Sequence, residues 1–314
     1  MQITRWTDET ETTIQEVEKK LLSTHRDEQS DTSTGYINWY IEKQFSENKK
    51  GTFNGKNIEY NLFTFSVDQI PVGVEIDDDT VTKRTGFLIV YVVSDKVRYI
   101  INRNSGAMTL IRKMLFYTGK GEVVENKLPF TEDKFVWLIS KVYNSENILE
   151  CGNDYLENLA INTIRGFKGD TEDSLTKISA EGESVMNIIS TLSFLIESKN
   201  LNQINMDLAY RNHTNIGVTL NNKSIVIVEE DRYSGELLQN HTYYERIAEI
   251  ILVLYTEMLP IIIQNYQNDV DANLWNQGRC IEFLQQVAGD LSTKVESRIN
   301  ELKKRPDQLK LTLA

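Results

Sequence analysis

A run of lysine and arginine side chains is the part of this sequence best suited to chemistry. Residues 81–120 contain eight basic residues and one acid, Asp95, so this segment, called the basic window below, carries a net charge of +7. The whole chain carries −12, so the other 274 residues carry −19. The basic residues are Lys83, Arg84, Lys96, Arg98, Arg103, Arg112, Lys113 and Lys120. Positive charge concentrated in an acidic chain predicts an anionic partner.

The order of residues inside the window predicts a phosphate site. Lys96 and Arg98 lie two apart and therefore share one face of a predicted strand. Arg103 ends that strand, and 104–106 open a predicted helix whose N-terminus favours an anion. The predicted site residues are Lys96, Arg98, Arg103, Ser105, Gly106, Arg112, Lys113 and Lys120. The aromatic residues predicted to stack on bases are Tyr91, Tyr99, Phe116 and Tyr117. The pattern favours a non-enzymatic subunit that contacts the phosphate backbone of nucleic acid.

Other interpretations of the window stay open. Its charges could pair with the acidic segments 75–79 and 169–173, because charge runs on a protein surface are commonly solvated or weakly paired. An acidic protein could dock on the window instead. In a third alternative, the acidic remainder of the chain binds a nucleic-acid-binding protein.

A divergent metal-dependent nuclease is the alternative from the enzyme class. Glu197 and Lys199 have the Glu-x-Lys spacing, and upstream acids are found at Asp170, Glu172 and Asp173. In such enzymes, acids hold a metal that activates water. The helical spacing predicted for 185–195 argues against this interpretation, because the chemistry needs its acids on a strand.

Other catalytic signals are weak. His25, His213 and His241 are scattered and match no metal-ligand spacing. Cys151 and Cys280 have no CxxC spacing, so we expect two buried, reduced thiols. No dinucleotide-binding, P-loop or serine-hydrolase element is found. The sequence predicts neither a cofactor nor a metal.

The first half of the chain predicts alternating helices and strands. Helices are expected at 7–25, 36–51, 104–115 and 131–143, and strands around the Asn54-Gly55 turn, at 87–93 and 97–101, and at 121–128. The stretch 87–93 is apolar on both faces, as in a central strand. The segment 165–183 contains three glycines and many acids, which predicts a linker or a long loop.

The second half predicts a helix at 184–199, strands at 204–231 with a turn at 221–223, and two long C-terminal helices. One helix is expected to start near His241 or Thr242 and to kink before Pro260. The other is expected from about Asp269 to Lys304. Its apolar residues follow four-three spacing, which predicts either packing inside the chain or a homo-oligomer contact. These residues are Leu284, Ala288, Leu291, Val295 and Leu302, with Arg298 in the same row.

The fold predicted from these elements is α+β with two lobes. Residues 1–165 form a mixed or antiparallel sheet lobe with a basic hairpin and helix, 166–183 the linker, and 184–314 a helix-rich lobe with a small antiparallel sheet. The N-terminus lacks the features of a signal peptide, and charges and Pro260 interrupt the apolar stretch 247–263. A cytoplasmic protein without membrane insertion is expected. Few prolines and many Asn, Ile, Lys and Glu residues are typical of AT-rich bacterial or phage genomes, so an antiphage-defence component is a further hypothesis.

Overall fold

A computed structural model describes residues 1–23, 35–71, 81–119, 121–151, 158–170, 177–181, 200–239 and 241–304. The elements in chain order are β1 (Gln2–Asp8), α1 (Ile14–Ser23), β2 (Tyr36–Lys43), β3 (Lys49–Phe53), β4 (Lys56–Gln69), β5 (Thr82–Val93), β6 (Lys96–Ile101), α2 (Ala107–Met114), β7 (Val123–Glu125), α3 (Glu132–Tyr143), β8 (Ile148–Leu149), β9 (Leu159–Asp170), β10 (Lys177–Glu181), β11 (Asn200–Tyr210), β12 (His213–Asn221), β13 (Val226–Gly235), α4 (Tyr243–Val253), α5 (Leu259–Asp271) and α6 (Gln277–Lys304). A short 3-10 helix, Glu236–Leu238, follows β13, and a π-helical turn, Leu254–Met258, joins α4 to α5.

The chain divides into two compact units. Unit 1 contains Met1–Pro129 and Asn212–Pro260, and unit 2 contains Phe130–Arg211 and Ile261–Ala314. Each unit combines two chain segments, unlike the continuous lobes 1–165 and 184–314 expected from the sequence. Residues 166–170 and 177–181, inside the predicted linker, form strand rather than loop. The α+β class is confirmed, with antiparallel strand pairs in each unit and long helices in the C-terminal region.

Unit 1 is built on an antiparallel sheet with the strand order β12-β13-β1-β6-β5-β4-β2. β3 also pairs with β4, and β7 with β1. Two tight turns set the register of the central strands. Asn54 and Gly55, both with positive φ, join β3 to β4 as the sequence predicts. Ser94 and Asp95, also with positive φ, join β5 to β6 and place Val93 opposite Lys96.

The two faces of this sheet are covered by different helices. On one face α1 and α2 bury their apolar stripes, including Leu21 and Ile111, against Phe65, Leu88 and Tyr99. On the other face, the Nη1 of Arg5 donates to the carbonyl oxygen of Tyr255 in the π-helical turn (3.2 Å). The central stretch 87–93 is therefore buried on both faces, as its composition predicts.

The prediction of a helix at 36–51 is wrong, because residues 36–43 form strand β2 and pair with β4. Ile37, Ile41 and Phe45 are buried four residues apart, which is a helical spacing. A register shift between Ile37 and Tyr40, where Asn38 has φ 53°, breaks the strand alternation and produces that spacing. The tyrosine, tryptophan and isoleucine content of the segment is typical of strands.

Unit 2 places α3 against a small antiparallel sheet with the order β10-β9-β11. Trp137 of α3 contacts Tyr266 of α5 edge to face at 5.6 Å. Tyr143 makes the same kind of contact with Phe283 of α6 at 5.6 Å. Of the α6 side chains, Phe283 and Val287 are buried, so the first part of this helix packs within its own unit.

The start of the first C-terminal helix agrees with its sequence signals, whereas the start of the last one does not. α4 begins after Thr242, which forms a capping box with Glu245. The π-helical turn lies directly before Pro260, where a kink is expected. α6 begins at Gln277, later than the predicted Asp269. The predicted helix at 184–199 lies outside the described residues.

Two further expectations concern burial. Within the described residues, one helix, 243–271, is long and apolar enough to cross a membrane, but 67 % of its most apolar window is buried inside the protein. A buried apolar helix is what a globular core contains. Cys151 and Cys280 form no disulfide bond among the described residues and are only partly buried, so the expectation of two buried thiols is wrong.

Candidate functional site

A pocket of about 310 Å³ lies in unit 1 where β5, β6 and the start of α2 meet. It is lined by Gln2, Tyr36, Gln69, Arg84, Asn102, Arg103, Asn104, Ser105, Gly106 and Leu110. Of the predicted site residues, the structure brings Arg103, Ser105 and Gly106 together here. No carboxylate is present among the described residues that line the pocket, although the chain as a whole is acidic.

Arg103 is held at the pocket by contacts on several sides. Its Nη2 donates to the carbonyl oxygen of Thr85 (2.6 Å), and its guanidinium lies 6.0 Å from the centre of the Phe65 ring. Its Nε is buried without a hydrogen-bond partner among the described residues. Partial burial lowers the pKa of Arg103, and the positive charge of Arg84 lowers it further. The guanidinium remains charged at neutral pH.

Arg84 reaches the same pocket from β5. The register of β5 and β6 explains the approach, because Leu88 pairs with Ile101. Arg103 lies two residues after Ile101 and Gly86 lies two residues before Leu88, so Arg103 and Gly86 come opposite each other. Arg84 lies two residues further along β5 and therefore on the same face. Its Nε donates to Oε1 of Gln69 (3.0 Å). Two like charges thus line one pocket. We call Arg84 and Arg103 the pocket end of the window, a name that refers to their place in the fold and not in the sequence.

The pocket wall depends on a close approach of backbone and side chain. Oδ1 of Asn102 accepts a hydrogen bond from the backbone N–H of Phe87 (2.7 Å). A Cβ at Gly86 would lie 2.4 Å from Oδ1 of Asn102 and 2.7 Å from Cζ of Phe65. Only glycine leaves room for this packing. Gly106 lines the pocket and is the N-cap of α2, with φ 75°, a conformation that glycine adopts without strain.

The other predicted site residues lie elsewhere. Lys96 starts β6, about 20 Å along the chain from Arg103, and its Nζ lies 3.4 Å from Oε2 of Glu9. The Nη2 of Arg112 donates to the carbonyl oxygen of Thr118 (3.0 Å), and its Nε lies 3.9 Å from Oε2 of Glu122. We call Lys96 and Arg112 the acid-paired end of the window. The sequence-based prediction placed both residues in one phosphate site with Arg103, but neither lines the pocket and each lies near a glutamate instead.

Three predicted site residues remain. Arg98 lies opposite Tyr91 and Thr7, on the sheet face away from α2, because its neighbours Val97 and Tyr99 point into the α2 side of the core. It cannot share the pocket with Arg103. Lys113 is partly exposed on α2 but does not line the pocket. Lys120 lies outside the described residues.

Most of the predicted stacking residues are buried. Tyr91 and Tyr99 are fully buried and Tyr117 is 8 % exposed, so their prediction as stacking faces is wrong. Their strands and loop are covered by helices on both sides of the sheet. Phe116 is 51 % exposed. The aromatic residue that lines the pocket is Tyr36 of β2, which the sequence interpretation missed because the bulge at Asn38 gave β2 a helical spacing.

The alternatives from the sequence fall largely outside the described residues. This applies to Glu172, Asp173, Glu197 and Lys199, to most of the acidic segment 169–173, and to all of 75–79. Asp170 ends β9, opposite Lys177. Within the described part of the chain, no group of three histidine, cysteine, aspartate or glutamate residues is placed to hold a metal ion.

A scan of the sequence against protein-family models finds no matching family, and a search among curated proteins finds no match.

Proposed function

We propose that this protein binds nucleic acid without catalysis and that Arg84 and Arg103 contact the phosphate backbone. The observation that carries the proposal is two guanidinium groups facing one pocket that has no carboxylate among its described lining residues. Partial burial and, to a smaller extent, the like charge of Arg84 disfavour the charged form of Arg103 and lower its pKa. A bound anion removes the repulsion between the two charges.

Phosphate is the anion that suits this pocket best. Guanidinium groups donate two parallel hydrogen bonds to phosphate oxygens, which gives both charge and geometric complementarity. The remaining lining residues supply neutral polar groups, among them Asn104 and Ser105, rather than an apolar wall. Contacts of this kind position a nucleic-acid backbone without reading its sequence.

The same proposal includes a role within a larger assembly. Beyond Val287, the last part of α6 carries exposed apolar side chains: Val295 is 42 %, Ile299 44 % and Leu302 51 % exposed. Leu291, Val295 and Leu302 belong to the row with four-three spacing that also contains Arg298, and Ile299 lies beside that row. This spacing is that of a helix that pairs with another helix. We therefore propose a protein partner or a second copy on α6, in a cytoplasmic bacterial or phage assembly that has a role in antiphage defence.

The test is fluorescence anisotropy with labelled single-stranded DNA, duplex DNA and RNA, at salt concentrations from about 50 to 200 mM. Wild type is compared with Arg84→Glu/Arg103→Glu after both are shown to fold by circular dichroism. We expect the logarithm of the wild-type affinity to fall linearly with the logarithm of salt concentration. The charge-reversed variant is expected to lose binding. Absence of wild-type binding at the lowest salt overturns the proposal.

The same samples separate the rival functions. Incubation of labelled DNA and RNA with Mg²⁺ or Mn²⁺ tests the divergent nuclease, and metal-dependent cleavage would replace binding as the proposed activity. An acidic protein partner predicts no salt-dependent binding to any nucleic acid, together with specific capture of a protein that the charge-reversed variant fails to capture.

A further inference from the structure

An aromatic pair adjoins the arginine pocket. Tyr36 lines the pocket, and its ring centre lies 5.9 Å from that of Trp39, with the ring planes at 41°. Both side chains are half-buried and pack against the core beneath α1 and α2. The bulge at Asn38 lies between them. Both rings thus pack against the core, and Trp39 adjoins the pocket through its contact with Tyr36.

Trp39 differs from the other tryptophans of the chain. Trp6, Trp137 and Trp275 are all buried, and each donates its indole N–H to an oxygen of a nearby side chain. Trp39 is partly exposed, and the described residues offer its indole no such hydrogen bond. It lies on the outermost strand of the unit 1 sheet. A partly exposed indole beside a cationic pocket is an arrangement with which proteins bind bases.

We infer that the ligand is a single strand, with a phosphate between Arg84 and Arg103 and a neighbouring base stacked on Trp39 and Tyr36. This inference rests on the proposed function. The base of a single strand is free to stack on a side chain, whereas in a duplex the base faces are covered by neighbouring base pairs. Stacking accepts any base, so the site discriminates strand type and has little sequence preference.

The chain offers a matched control on the same strand. Tyr40 is 56 % exposed, more than either member of the aromatic pair. It lies opposite Ser66, on the other face of the sheet, and does not line the pocket. Replacement of Tyr40 removes a comparable aromatic group from β2 but leaves the proposed stacking surface intact.

The test measures the affinity of wild type, Trp39→Leu, Trp39→Phe and Tyr40→Leu for one single-stranded DNA and for the matching duplex. We expect wild type to prefer the single strand and Trp39→Leu to lose about ten-fold in single-strand affinity. Trp39→Phe is expected to recover most of the loss, because a phenyl ring also stacks. Tyr40→Leu is expected to bind as wild type does.

Tryptophan fluorescence gives a readout that does not depend on a destabilising variant. The other three tryptophans are buried, so quenching by single-stranded DNA reports on Trp39. We expect quenching in wild type and none in Trp39→Phe. Equal affinity for single strand and duplex, or no quenching at saturating single strand, overturns the inference. If Arg84→Glu/Arg103→Glu abolishes binding while Trp39→Leu does not weaken it, the inference fails and the proposed function stands. If wild type binds neither form, both fail.

Discussion

The two ends of the basic window carry the same kind of charge in opposite surroundings. At the acid-paired end, Lys96 lies against Glu9 and Arg112 against Glu122. At the pocket end, Arg84 and Arg103 line the same pocket, which has no carboxylate among its described lining residues. The net charge of a sequence segment therefore does not tell which of its cations can bind a ligand. The neighbours that folding supplies decide this.

The two ends of the window also differ in whether nearby polar groups are hydrogen-bonded within the protein. Beside the acid-paired end, Asp8 is 2 % exposed and accepts hydrogen bonds from the hydroxyls of Tyr99 and Tyr117 and from the amides of Thr10 and Glu11. Burial, together with the Asp8 carboxylate, raises the pKa of Tyr99. Every part of this cluster is satisfied internally, whereas the pocket end has guanidinium groups to offer to a partner.

The largest effect on stability is expected for Asp8→Ala. The change leaves two tyrosine hydroxyls and two backbone amides without their acceptor, so we expect a loss of about 3 kcal/mol or more in the free energy of unfolding. Urea denaturation measures it. The control Glu9→Gln breaks the exposed pair with Lys96 and is expected to cost less than about 1 kcal/mol. Similar losses for both variants would contradict the structural role assigned to Asp8.

A smaller effect is expected for Gly86→Ala at the pocket end. The added methyl group displaces Asn102 or Phe65, which costs about 1–3 kcal/mol and also weakens nucleic-acid binding because the pocket wall moves. Gly121→Ala is the matched control near Glu122, since a Cβ there meets no atom within 4 Å. Denaturation and anisotropy on the same samples check both effects. An unchanged affinity for Gly86→Ala would show that the wall does not shape the site.

The smallest effect on stability is expected for a third ion pair, Lys49 with Glu245. Its contribution indicates how much an ion pair such as Lys96 with Glu9 adds to the free energy of unfolding. The hydrogen bond from Lys49 and those within the helix cap lower the pKa of Glu245 to about 2. Because the folded pKa is depressed, the stabilisation is complete above the unfolded pKa of about 4.3 and is lost as the pH falls toward 2. Stability measured across this range is expected to fall less steeply for Glu245→Gln than for wild type. Parallel curves would contradict the assignment.

Local signals in the sequence predicted much of unit 1. The Asn54-Gly55 turn, the central stretch 87–93 and the start of α2 after Gly106 each depend on neighbouring residues alone, and all are confirmed. The helix predicted for β2 fails because a bulge imitates helical spacing, and with it Tyr36 and Trp39 were missed.

The grouping of the basic residues depends on register and on chain segments distant in sequence. The two-residue turn at 94–95 fixes the register that brings Arg84 beside Arg103, so this pair could have been derived from the predicted hairpin. Glu9 lies 87 residues before Lys96, and no local pattern signals that contact. The face of Arg98 could have been derived, because strand alternation puts it opposite its neighbours Val97 and Tyr99 and away from Arg103.

Two variants with the same change in charge distinguish binding by the arginine pocket from binding by the overall charge of the window. Arg84→Gln/Arg103→Gln and Lys96→Gln/Arg112→Gln each remove two positive charges, and both are titrated with single-stranded DNA over a range of salt concentrations. We expect the pocket-end variant to lose about 100-fold in affinity and its salt dependence to fall by about two phosphate contacts. The acid-paired variant is expected to change by less than about three-fold. Equal losses in the two variants would show that binding follows the overall charge of the window and not the arginine pocket.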